Sequence, residues 1–408
     1  MSTKYPAGVI KSAPVVPAGP YQNSSASGVW TMEQAGYWIK QGNWPTAGNF
    51  KPDGGLYSWG RNNFGALGLG DTTNRSSPNQ VGALTTWSKI IGGYATTALK
   101  TDGTLWTWGY NADGELGLGT SGVGTYKSSP NQVGALTTWS KISSGSFHTL
   151  ATTTTGTLYS WGANIYGMLG LGNTTSYSSP KQVGALTTWL NITCGVVHSA
   201  AIKTDGTIWT WGQNTNGQLG LGTSGAGTNK SSPTQVGALT TWLNISAGGY
   251  CTAAIKTDGT LWLWGKNNNG QLGLGNTTSY SSPVQVGALT TWSKITFLLA
   301  STLAIKTDGT LWSWGLNSQG TLGLGNTTNY SSPKQVGALT TWSKVANGIG
   351  ENTAAIKTDG TLWSWGYNAY GQLGLGDITN RSSPVQVGAL TTWLAIACGK
   401  ENTLAILS

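Results

Sequence analysis

Short hydrophobic runs separated by polar turns recur through most of the chain, and the same pattern returns seven times. In residues 355–366, AIKTDGTLWSWG, two β-rich runs flank Asp359-Gly360, a pair typical of a tight hairpin. Alternation in the second run places Leu362 on one face of the strand and Trp363 on the other. Both faces therefore carry large side chains that must pack against a neighbouring element. The proline-led S-S-P-x-Q-V and the run T-T-W-S-K-I complete each copy. Each copy therefore predicts four antiparallel strands.

Two phrases mark the repeat. The dipeptide Trp-Gly recurs at intervals of about 50 residues, and VGALTTW also occurs seven times. The seven Trp-Gly tryptophans are Trp59, Trp108, Trp161, Trp211, Trp264, Trp314 and Trp365. Arrays of this period fall in the range of propellers, in which each sheet is covered by a neighbour on both faces. The sequence predicts an all-β protein, a seven-bladed β-propeller with four-stranded blades.

The two ends of the repeat region complement each other. The first copy has the turn Asp53-Gly54 with no strand before it, and the last copy ends in a strand, residues 401–408, with no hairpin after it. We expect the C-terminal strand to pair with residues 55–60 and complete a blade shared by both ends. Such closure removes the exposed sheet edges of an open array.

The copies read G-x-L-Y/W-x-W-G-x-N-x-x-G-Q-L-G-x-G, then a proline-led strand, then I-x-x-G-x-x-H-T-x-A. This pattern resembles RCC1 repeats (regulator of chromosome condensation type) over residues 51–408, in all seven copies. The resemblance implies a seven-bladed propeller. It leaves the function open, because that family includes exchange factors, ubiquitin ligases, inhibitors and scaffolds. This chain departs from the exchange factors in being basic and in having no inserted wedge.

The histidine of the family pattern is present only as His148 and His198. We expect a structural hydrogen bond from each rather than catalysis or metal binding. The glycine-rich GQLGLG loop recurs in every copy without a following helix or lysine, so we assign it a structural role. The three cysteines predict free thiols. No catalytic constellation stands apart from the repeat, and we predict no enzyme activity, metal or cofactor.

The formal charge is +9, from 22 Lys and Arg against 13 Asp and Glu. The lysines are spread at the repeat period, many two residues before an aspartate, which disfavours nucleic-acid binding. The N-terminus lacks the apolar core of a signal peptide, and no segment is long enough to insert into a membrane.

Differences between the copies concentrate in two loops: the residues around W-G-x-N-x-x, and the segment before the last strand, such as GGYAT or GSFHT. Copies two and four also carry longer loops, residues 120–127 and 223–230. Loops on a fixed scaffold are common recognition sites, and aromatic side chains suit stacking on a sugar or a protein partner. The candidate binding residues are Phe64, Tyr110, Tyr166, Tyr367 and Tyr370. The alternative is neutral drift at exposed positions after recent duplication.

Residues 1–50 are predicted to be a separate, mostly extended arm with a short helix near residues 32–40. So short a helix must dock, either on the side of the propeller or on a partner or second copy. The segment SGVWTMEQ, followed closely by GNWP, is similar to short stretches of structural proteins of tailed bacteriophages. That resemblance implies an arm docked on the particle. The candidate virion-anchoring residues are Trp30, Met32, Trp38, Ile39 and Trp44.

Two functional hypotheses follow. The first is a non-enzymatic virion protein, either a tail fibre or tail-tip component or a capsid-attached fibre, assembled in the host cytoplasm and released by lysis. Its arm would bind other virion proteins, and its propeller would bind a host-surface glycan or protein, with a homo-oligomer as a further option. The second hypothesis is a cellular RCC1-like interaction scaffold or guanine-nucleotide exchange factor.

Overall fold

The computed structural model describes residues 54–297 and 299–408. Within these residues 28 strands form seven four-stranded antiparallel sheets, which confirms the predicted seven-bladed propeller. The arm with Trp30, Met32, Trp38, Ile39 and Trp44 lies outside the described residues.

Strands β1 to β28 are numbered in chain order, and six blades each contain four consecutive strands. Blades 1 to 3 comprise β3 (Trp87–Gly92), β4 (Ala95–Lys100), β5 (Leu105–Gly109) and β6 (Lys127–Gln132); β7 (Trp139–Ser144), β8 (His148–Thr153), β9 (Leu158–Gly162) and β10 (Tyr177–Gln182); β11 (Trp189–Cys194), β12 (His198–Lys203), β13 (Ile208–Gly212) and β14 (Lys230–Gln235). Blades 4 to 6 comprise β15 (Trp242–Ala247), β16 (Cys251–Lys256), β17 (Leu261–Gly265) and β18 (Tyr280–Gln285); β19 (Trp292–Phe297), β20 (Ser301–Lys306), β21 (Leu311–Gly315) and β22 (Tyr330–Gln335); β23 (Trp342–Asn347), β24 (Asn352–Lys357), β25 (Leu362–Gly366) and β26 (Arg381–Gln386). A single turn of 3-10 helix, Ala226–Thr228, lies in the longer loop of blade 3.

The seventh blade, called the closing blade, joins the two ends of the repeat region. Its strands are β27 (Trp393–Cys398), β28 (Asn402–Leu407), β1 (Gly55–Gly60) and β2 (Arg75–Gln80). Strands β28 and β1 pair in continuous antiparallel register, from Gly55 opposite Leu407 to Gly60 opposite Asn402. The predicted ring closure is therefore confirmed.

The first strand of each blade is the innermost. First strands of neighbouring blades contact one another around the ring. Together they line a central cavity of about 280 Å³, to which all seven blades contribute. The proline-containing fourth strand is the outermost, where a residue without an N–H costs no ladder hydrogen bond.

The core lies between blades rather than in one central mass. One cluster packs Leu404 and Ala397 of the closing blade against Trp87 and Trp108 of blade 1. Trp87 meets Trp108 edge-on with ring centroids 6.0 Å apart, and the same arrangement recurs around the ring. The tryptophans of Trp-Gly and TTW thus fill the inter-blade cores.

A ring of hydrogen bonds links the innermost strands. In six of the seven blades the third residue of the first strand donates to the backbone carbonyl of the second residue in the next blade's first strand, as Lys89 does to Ser140 O at 2.6 Å and Asn191 to Leu243 O at 3.1 Å. The other donors are Lys141, Asn244, Lys294 and Lys344. The seventh position is Ala395, which has no side-chain donor. The junction between the closing blade and blade 1 therefore lacks this bond.

The connections of each blade emerge at two opposite ends. The connections from the first to the second strand and from the third to the fourth share one end, here called the loop face. The opposite end carries the Asp-Gly hairpins, where Asp359 accepts a 2.9 Å hydrogen bond from the N–H of Thr361 and Gly360 has φ 77°. A side chain on Gly360 would lie 2.0 Å from the carbonyl oxygen of Thr391, so this turn requires glycine.

Candidate functional site

The loop face is built on the repeated W-G-x-N-x-x-G phrase. In blade 1 the amide of Asn111 donates to Thr120 O at 3.0 Å, and its carbonyl accepts from Leu116 N at 3.0 Å. The glycine-rich stretch that follows packs tightly, since a side chain on Gly117 would lie 2.7 Å from the indole nitrogen of Trp161. The asparagine and glycines thus have a structural role, as predicted. They leave the residues between them free to vary.

Two of the predicted loop residues, Phe64 and Tyr110, lie against each other across neighbouring blades. Phe64 of the closing blade and Tyr110 of blade 1 meet edge-on, with ring centroids 5.1 Å apart. Tyr126, from the longer loop of blade 1, stacks on Tyr110 at 5.1 Å. Tyr94 contacts Tyr110 at 5.5 Å and stacks on Phe147 of blade 2 at 5.3 Å. Five aromatic side chains from three blades therefore form one continuous cluster.

A second group adjoins this cluster across the closing blade. Tyr367 and Tyr370 of blade 6 are paired edge-on, 6.4 Å apart. The guanidinium of Arg61 lies 4.6 Å from the ring centroid of Tyr370 and forms an ion pair with Glu401. Next to Glu401, the ammonium group of Lys400 lies 4.1 Å from the ring centroid of Tyr94 and so joins the two groups.

We call this surface the aromatic strip. It crosses blade 6, the closing blade, blade 1 and blade 2. Its members are Arg61, Phe64, Tyr94, Tyr110, Tyr126, Phe147, Tyr367, Tyr370, Lys400 and Glu401. All ten side chains belong to residues that are neither fully buried nor fully exposed.

The backbone of the strip is strained at one of its charged members. Among the described residues, Glu351 and Glu401 are the only non-glycine residues with positive φ, at 62° and 63°. Their carbonyl oxygens accept hydrogen bonds from Tyr367 N and Arg61 N, at 3.0 and 2.8 Å. Left-handed backbone at non-glycine residues is costly and is concentrated at functional sites.

The structure places four of the five predicted loop residues in the strip, and their role in binding stays a prediction. Phe64, Tyr110, Tyr367 and Tyr370 lie in the strip. Tyr166 makes no aromatic pair among the described residues. Sequence reasoning did not single out Tyr94, Tyr126, Phe147 or the charged members. The signal that could have identified them was their position in the variable segments GGYAT, GSFHT and TSGVGTYK.

Beneath the strip lies a carboxyl group that sequence reasoning also missed. Glu115 is 1% exposed and occupies the slot that holds Gln218, Gln271 and Gln372 in other blades. Its Oε2 accepts a 2.9 Å hydrogen bond from Asp113 N, while Oε1 has no partner among the described residues. Burial, with the nearby Asp113 carboxylate, raises the pKa of Glu115 to about 7.

The two histidines link neighbouring blades. His148 Nε2 lies 2.8 Å from Ser199 Oγ, and His198 Nε2 lies 2.9 Å from Thr252 Oγ1. Ser199 donates its own proton to Met168 O, so its oxygen accepts from His148 and the proton of that ring is on Nε2. Burial lowers the pKa values of His148 and His198 to about 3 and about 4. The predicted structural role is consistent with this geometry.

The three cysteines are buried free thiols, as predicted: Cys194, Cys251 and Cys398. Burial raises the pKa of each to about 12. Within residues 54–297 and 299–408 no three His, Cys, Asp or Glu side chains are grouped to hold a metal ion. No helix in the described part of the chain combines the length and hydrophobicity of a membrane span.

Comparison with known proteins identifies the repeats. The family model of the RCC1-like domain matches residues 186–408, and the RCC1 repeat model matches residues 53–99, 102–152 and 155–202. The Arabidopsis thaliana ultraviolet-B receptor UVR8 is 41% identical over 58 residues, 14% of this chain and 13% of that protein. The human probable E3 ubiquitin-protein ligase HERC3 is 33% identical over 168 residues, 41% of this chain and 11% of that protein. The chain thus spans only a small part of the length of these relatives.

Solved structures share the propeller. Human WBSCR16 superposes with a TM-score of 0.76 at 22% identity, covering 87% of this chain and 99% of that chain. Prp20p of Saccharomyces cerevisiae superposes with a TM-score of 0.77 at 20% identity, covering 87% of this chain and 91% of that chain. With the fold, the seven repeats and a family model that matches more than half of its length, the chain belongs to the family of RCC1-like domains.

Proposed function

We propose that this chain is a non-enzymatic interaction scaffold that binds a protein partner through the aromatic strip. The observation that carries the proposal is the continuity of the strip. Its members come from loops up to 340 residues apart, as the Arg61–Glu401 ion pair illustrates, yet they lie side by side on four adjacent blades. Neutral drift would scatter such residues around the ring.

The opposite half of the loop face supports this proposal by contrast. Where the strip has Tyr110 and Tyr367 after Trp-Gly, blades 3 and 5 have Gln213 and Leu316. The position of Tyr126 in the longer loop is Asn229 in the other longer loop. Tyrosine and arginine are enriched among residues that dominate binding energy at protein interfaces. The strip therefore has a composition suited to a protein partner.

Propellers of this fold bind proteins elsewhere. Prp20p is described as binding Gsp1p and histones, and yeast RCC1 (Prp20) is known in a complex with Kap60. The relatives found by comparison include cellular proteins such as UVR8 and HERC3, so they favour the scaffold hypothesis over the virion hypothesis. The virion hypothesis depends on residues 1–50 and stays a prediction.

The test uses residues that other copies of the repeat already tolerate. Tyr110→Gln and Tyr126→Asn install the residues of blade 3, so the loops should keep their conformation. The matched control is the double variant Gln213→Ala/Asn229→Ala on blade 3. Partners would be captured on full-length wild type and both variants, identified, and then purified for affinity measurement.

We expect the strip variant to bind an identified partner at least about tenfold more weakly, since a central aromatic residue at an interface contributes ~1–2 kcal/mol or more. The control should bind as wild type does. Equal affinity of strip variant and wild type for every partner would refute the proposal. A guanine-nucleotide release assay with small GTPases should be run on the same proteins. Accelerated release would show exchange activity and overturn the proposal of a non-enzymatic scaffold.

A further inference from the structure

A group of lysines lies around the central axis of the propeller, away from the aromatic strip. They are the third residues of four innermost strands: Lys89 and Lys141 in blades 1 and 2, and Lys294 and Lys344 in blades 5 and 6. Their half of each strand is the one nearer the Asp-Gly hairpins, because the connection to the second strand leaves from the loop face. We call these four residues the axial lysines.

The ammonium groups of the axial lysines are held in place but not fully used. Each donates to a backbone carbonyl of the next blade's innermost strand, so it lies beside the wall of the central channel. Lys89 makes this bond to Ser140 O at 2.6 Å, and Lys141 makes a second bond, to Asn191 Oδ1 at 3.1 Å. An ammonium group has three donors. Within the described part of the chain, every axial lysine therefore has at least one donor without a protein acceptor.

The link between blades does not require the positive charge of these lysines. Blades 3 and 4 have asparagine at the same position. Asn191 donates to Leu243 O at 3.1 Å, and Asn244 donates to Ser293 O at 3.2 Å. A neutral amide thus makes the same inter-blade hydrogen bond without placing like charges around one axis, where they repel. The structural link alone therefore does not account for four lysines.

The charges of the axial lysines are not balanced by carboxylates. The three ion pairs found in residues 54–297 and 299–408 all involve arginine. Partial burial and the nearby ammonium group of Lys89 lower the pKa of Lys141. Partial burial and the nearby Lys294 lower the pKa of Lys344 in the same way. Two pairs of like charges therefore lie on opposite sides of the axis, in blades 1 and 2 and in blades 5 and 6.

The surroundings of the axial lysines favour a compact anion over an extended one. Farther from the axis, the hairpins at the same end carry five exposed aspartates: Asp102, Asp205, Asp258, Asp308 and Asp359. An extended polyanion such as nucleic acid would cross these carboxylates, and like charges repel. A compact anion with several charges avoids the hairpins and still reaches both lysine pairs. Lysine is a common ligand of phosphate groups.

We propose that the axial lysines bind one small ligand that carries several phosphate groups, with phosphates contacting both lysine pairs across the axis. Asn191 and Asn244 each have one further amide N–H, which adds neutral donors from blades 3 and 4. The same phosphate chemistry occurs in soluble polyphosphates and in phosphoinositide headgroups. This site goes beyond the proposed partner site, which lies on the loop face and uses other residues.

The test measures binding to the full-length chain at about 0.15 M NaCl, where weak surface attraction is screened. The soluble probes are inorganic tripolyphosphate and myo-inositol hexakisphosphate, titrated by calorimetry. The lipid probe is phosphatidylcholine vesicles with and without phosphatidylinositol 4,5-bisphosphate, assayed by co-sedimentation. We expect a soluble probe to bind at one per chain, or the phosphoinositide vesicles to retain the protein. Binding of only one kind of probe would identify the source of the phosphates.

The double variant Lys141→Asn/Lys344→Asn removes one charge from each pair and installs the residue that links blades 3 and 4. It should weaken binding at least about tenfold, because two hydrogen bonds to charged groups are lost. Asn244→Lys adds a fifth lysine at the same position of blade 4. It should tighten binding about two- to fivefold, the range of a partly exposed ion pair.

The matched control is Lys181→Asn/Lys334→Asn on the outermost strands. It removes the same net charge and installs the residue that two other copies have there, Asn79 and Asn131. Because Lys181 and Lys334 are exposed and far from the axis in the order of strands, this control should bind as wild type does.

Unfolding curves of all three variants would show that the ring is intact, so a change in affinity reports on the site. Three results would overturn the proposal. One is that no phosphate probe binds. Another is an equal loss of affinity in the axial variant and the control, which would report the net charge of +9 rather than a site. The third is that a hexa-aspartate peptide binds more tightly than every phosphate probe, which would assign the axial lysines to an acidic peptide.

Discussion

Glu115 offers a direct test of the electrostatics under the strip. The change is Glu115→Gln, which installs the residue found at the same slot in three other copies, Gln218, Gln271 and Gln372. In each of those copies the glutamine Oε1 accepts a 2.9 Å hydrogen bond from the N–H two residues before it. Glu115 Oε2 accepts the equivalent bond from Asp113 N at 2.9 Å, so the substitution keeps the hydrogen bond and removes only the ionisable group.

The size of the effect follows from proton linkage. The folded state raises the pKa of Glu115 from 4.5 to about 7, so the folded protein holds this proton more tightly than the unfolded chain does. Below pH 4.5 the group is protonated in both states and costs nothing. The cost develops as pH rises from 4.5 to 7 and reaches about 3 kcal/mol above pH 7, at 1.36 kcal/mol per pKa unit.

The assay is denaturant unfolding of wild type and Glu115→Gln between pH 5 and pH 8. We expect the stability difference in favour of the variant to grow by roughly 2.5 kcal/mol from pH 5 to pH 8. Contributions from His148 and His198 are the same in both proteins and cancel in the difference. Gln218→Glu, the reverse change at the same slot of blade 3, should introduce a similar cost. A stability difference that stays flat with pH would refute the assignment of a neutral, buried carboxyl group.

Three further predictions concern the ring and its arm. Ala395→Lys should supply the missing inner hydrogen bond and raise the free energy of unfolding by ~0.5–1.5 kcal/mol. Ala395→Met has no donor and should not raise it. Equal effects of the two variants would contradict the role of this hydrogen bond in linking the blades. The pKa values of His148 and His198 are about 3 and about 4 in the folded protein, so both rings stay neutral there at pH 5. In the unfolded chain the same rings take up protons below pH 6.5. The free energy of unfolding therefore falls as the pH falls. The variant His148→Asn carries the residue found at the equivalent position 352. Between pH 8 and pH 5 its free energy of unfolding should fall by about 2 kcal/mol less than that of wild type. An equal fall in both proteins would argue against a buried neutral ring. Deleting residues 1–50 should leave a folded propeller. Under the virion hypothesis this propeller should no longer incorporate into particles, and retained incorporation would refute the anchoring role of Trp30, Trp38 and Trp44.

Much of the fold could be predicted because the repeat supplies its own alignment. The spacing of Trp-Gly sets the number of blades, and the incomplete copies at each end indicate that β28 must pair with β1. Both inferences need only strand periodicity and the cost of an open sheet edge. The alternation in TLWSW also indicated that both faces of this strand pack against neighbouring blades. Trp365 is fully buried, as this predicts.

The site was harder to predict because its members meet only in the closed ring. Phe64 and Tyr110 stand at two different variable positions of successive copies, and sequence reasoning selected both, but nothing in the sequence shows that they touch. Phe147 and Lys400 come from a different loop, and they reach the strip through Tyr94. For Glu115 the sequence shows a glutamate in a glutamine slot, but the pKa depends on burial that only packing determines.

The junction that lacks the inner hydrogen bond and the aromatic strip occupy the same place. At the junction between the closing blade and blade 1, Ala395 has no side-chain donor for the inner hydrogen bond. The buried side chain of Asn402 also has no hydrogen-bond partner among the described residues. The equivalent Asn352 donates to Thr403 Oγ1 of the next blade at 2.8 Å. Across this junction Lys400 N donates to Gly93 O at 3.0 Å, and the Lys400 side chain contacts Tyr94.

A partner seated on the strip would therefore contact both blades of the junction that lacks these two side-chain hydrogen bonds. Any ligand that binds the closed ring more tightly than an opened one stabilises closure in proportion to its affinity. Binding at the strip and stability of this junction are then reciprocally coupled. Ala395→Lys separates the two contributions, because it closes the junction from the inner strand without touching a residue of the strip. If the junction opens in the free protein, that variant should bind the partner more tightly than Ala395→Met does; equal affinities would mean that the strip acts on a ring already closed.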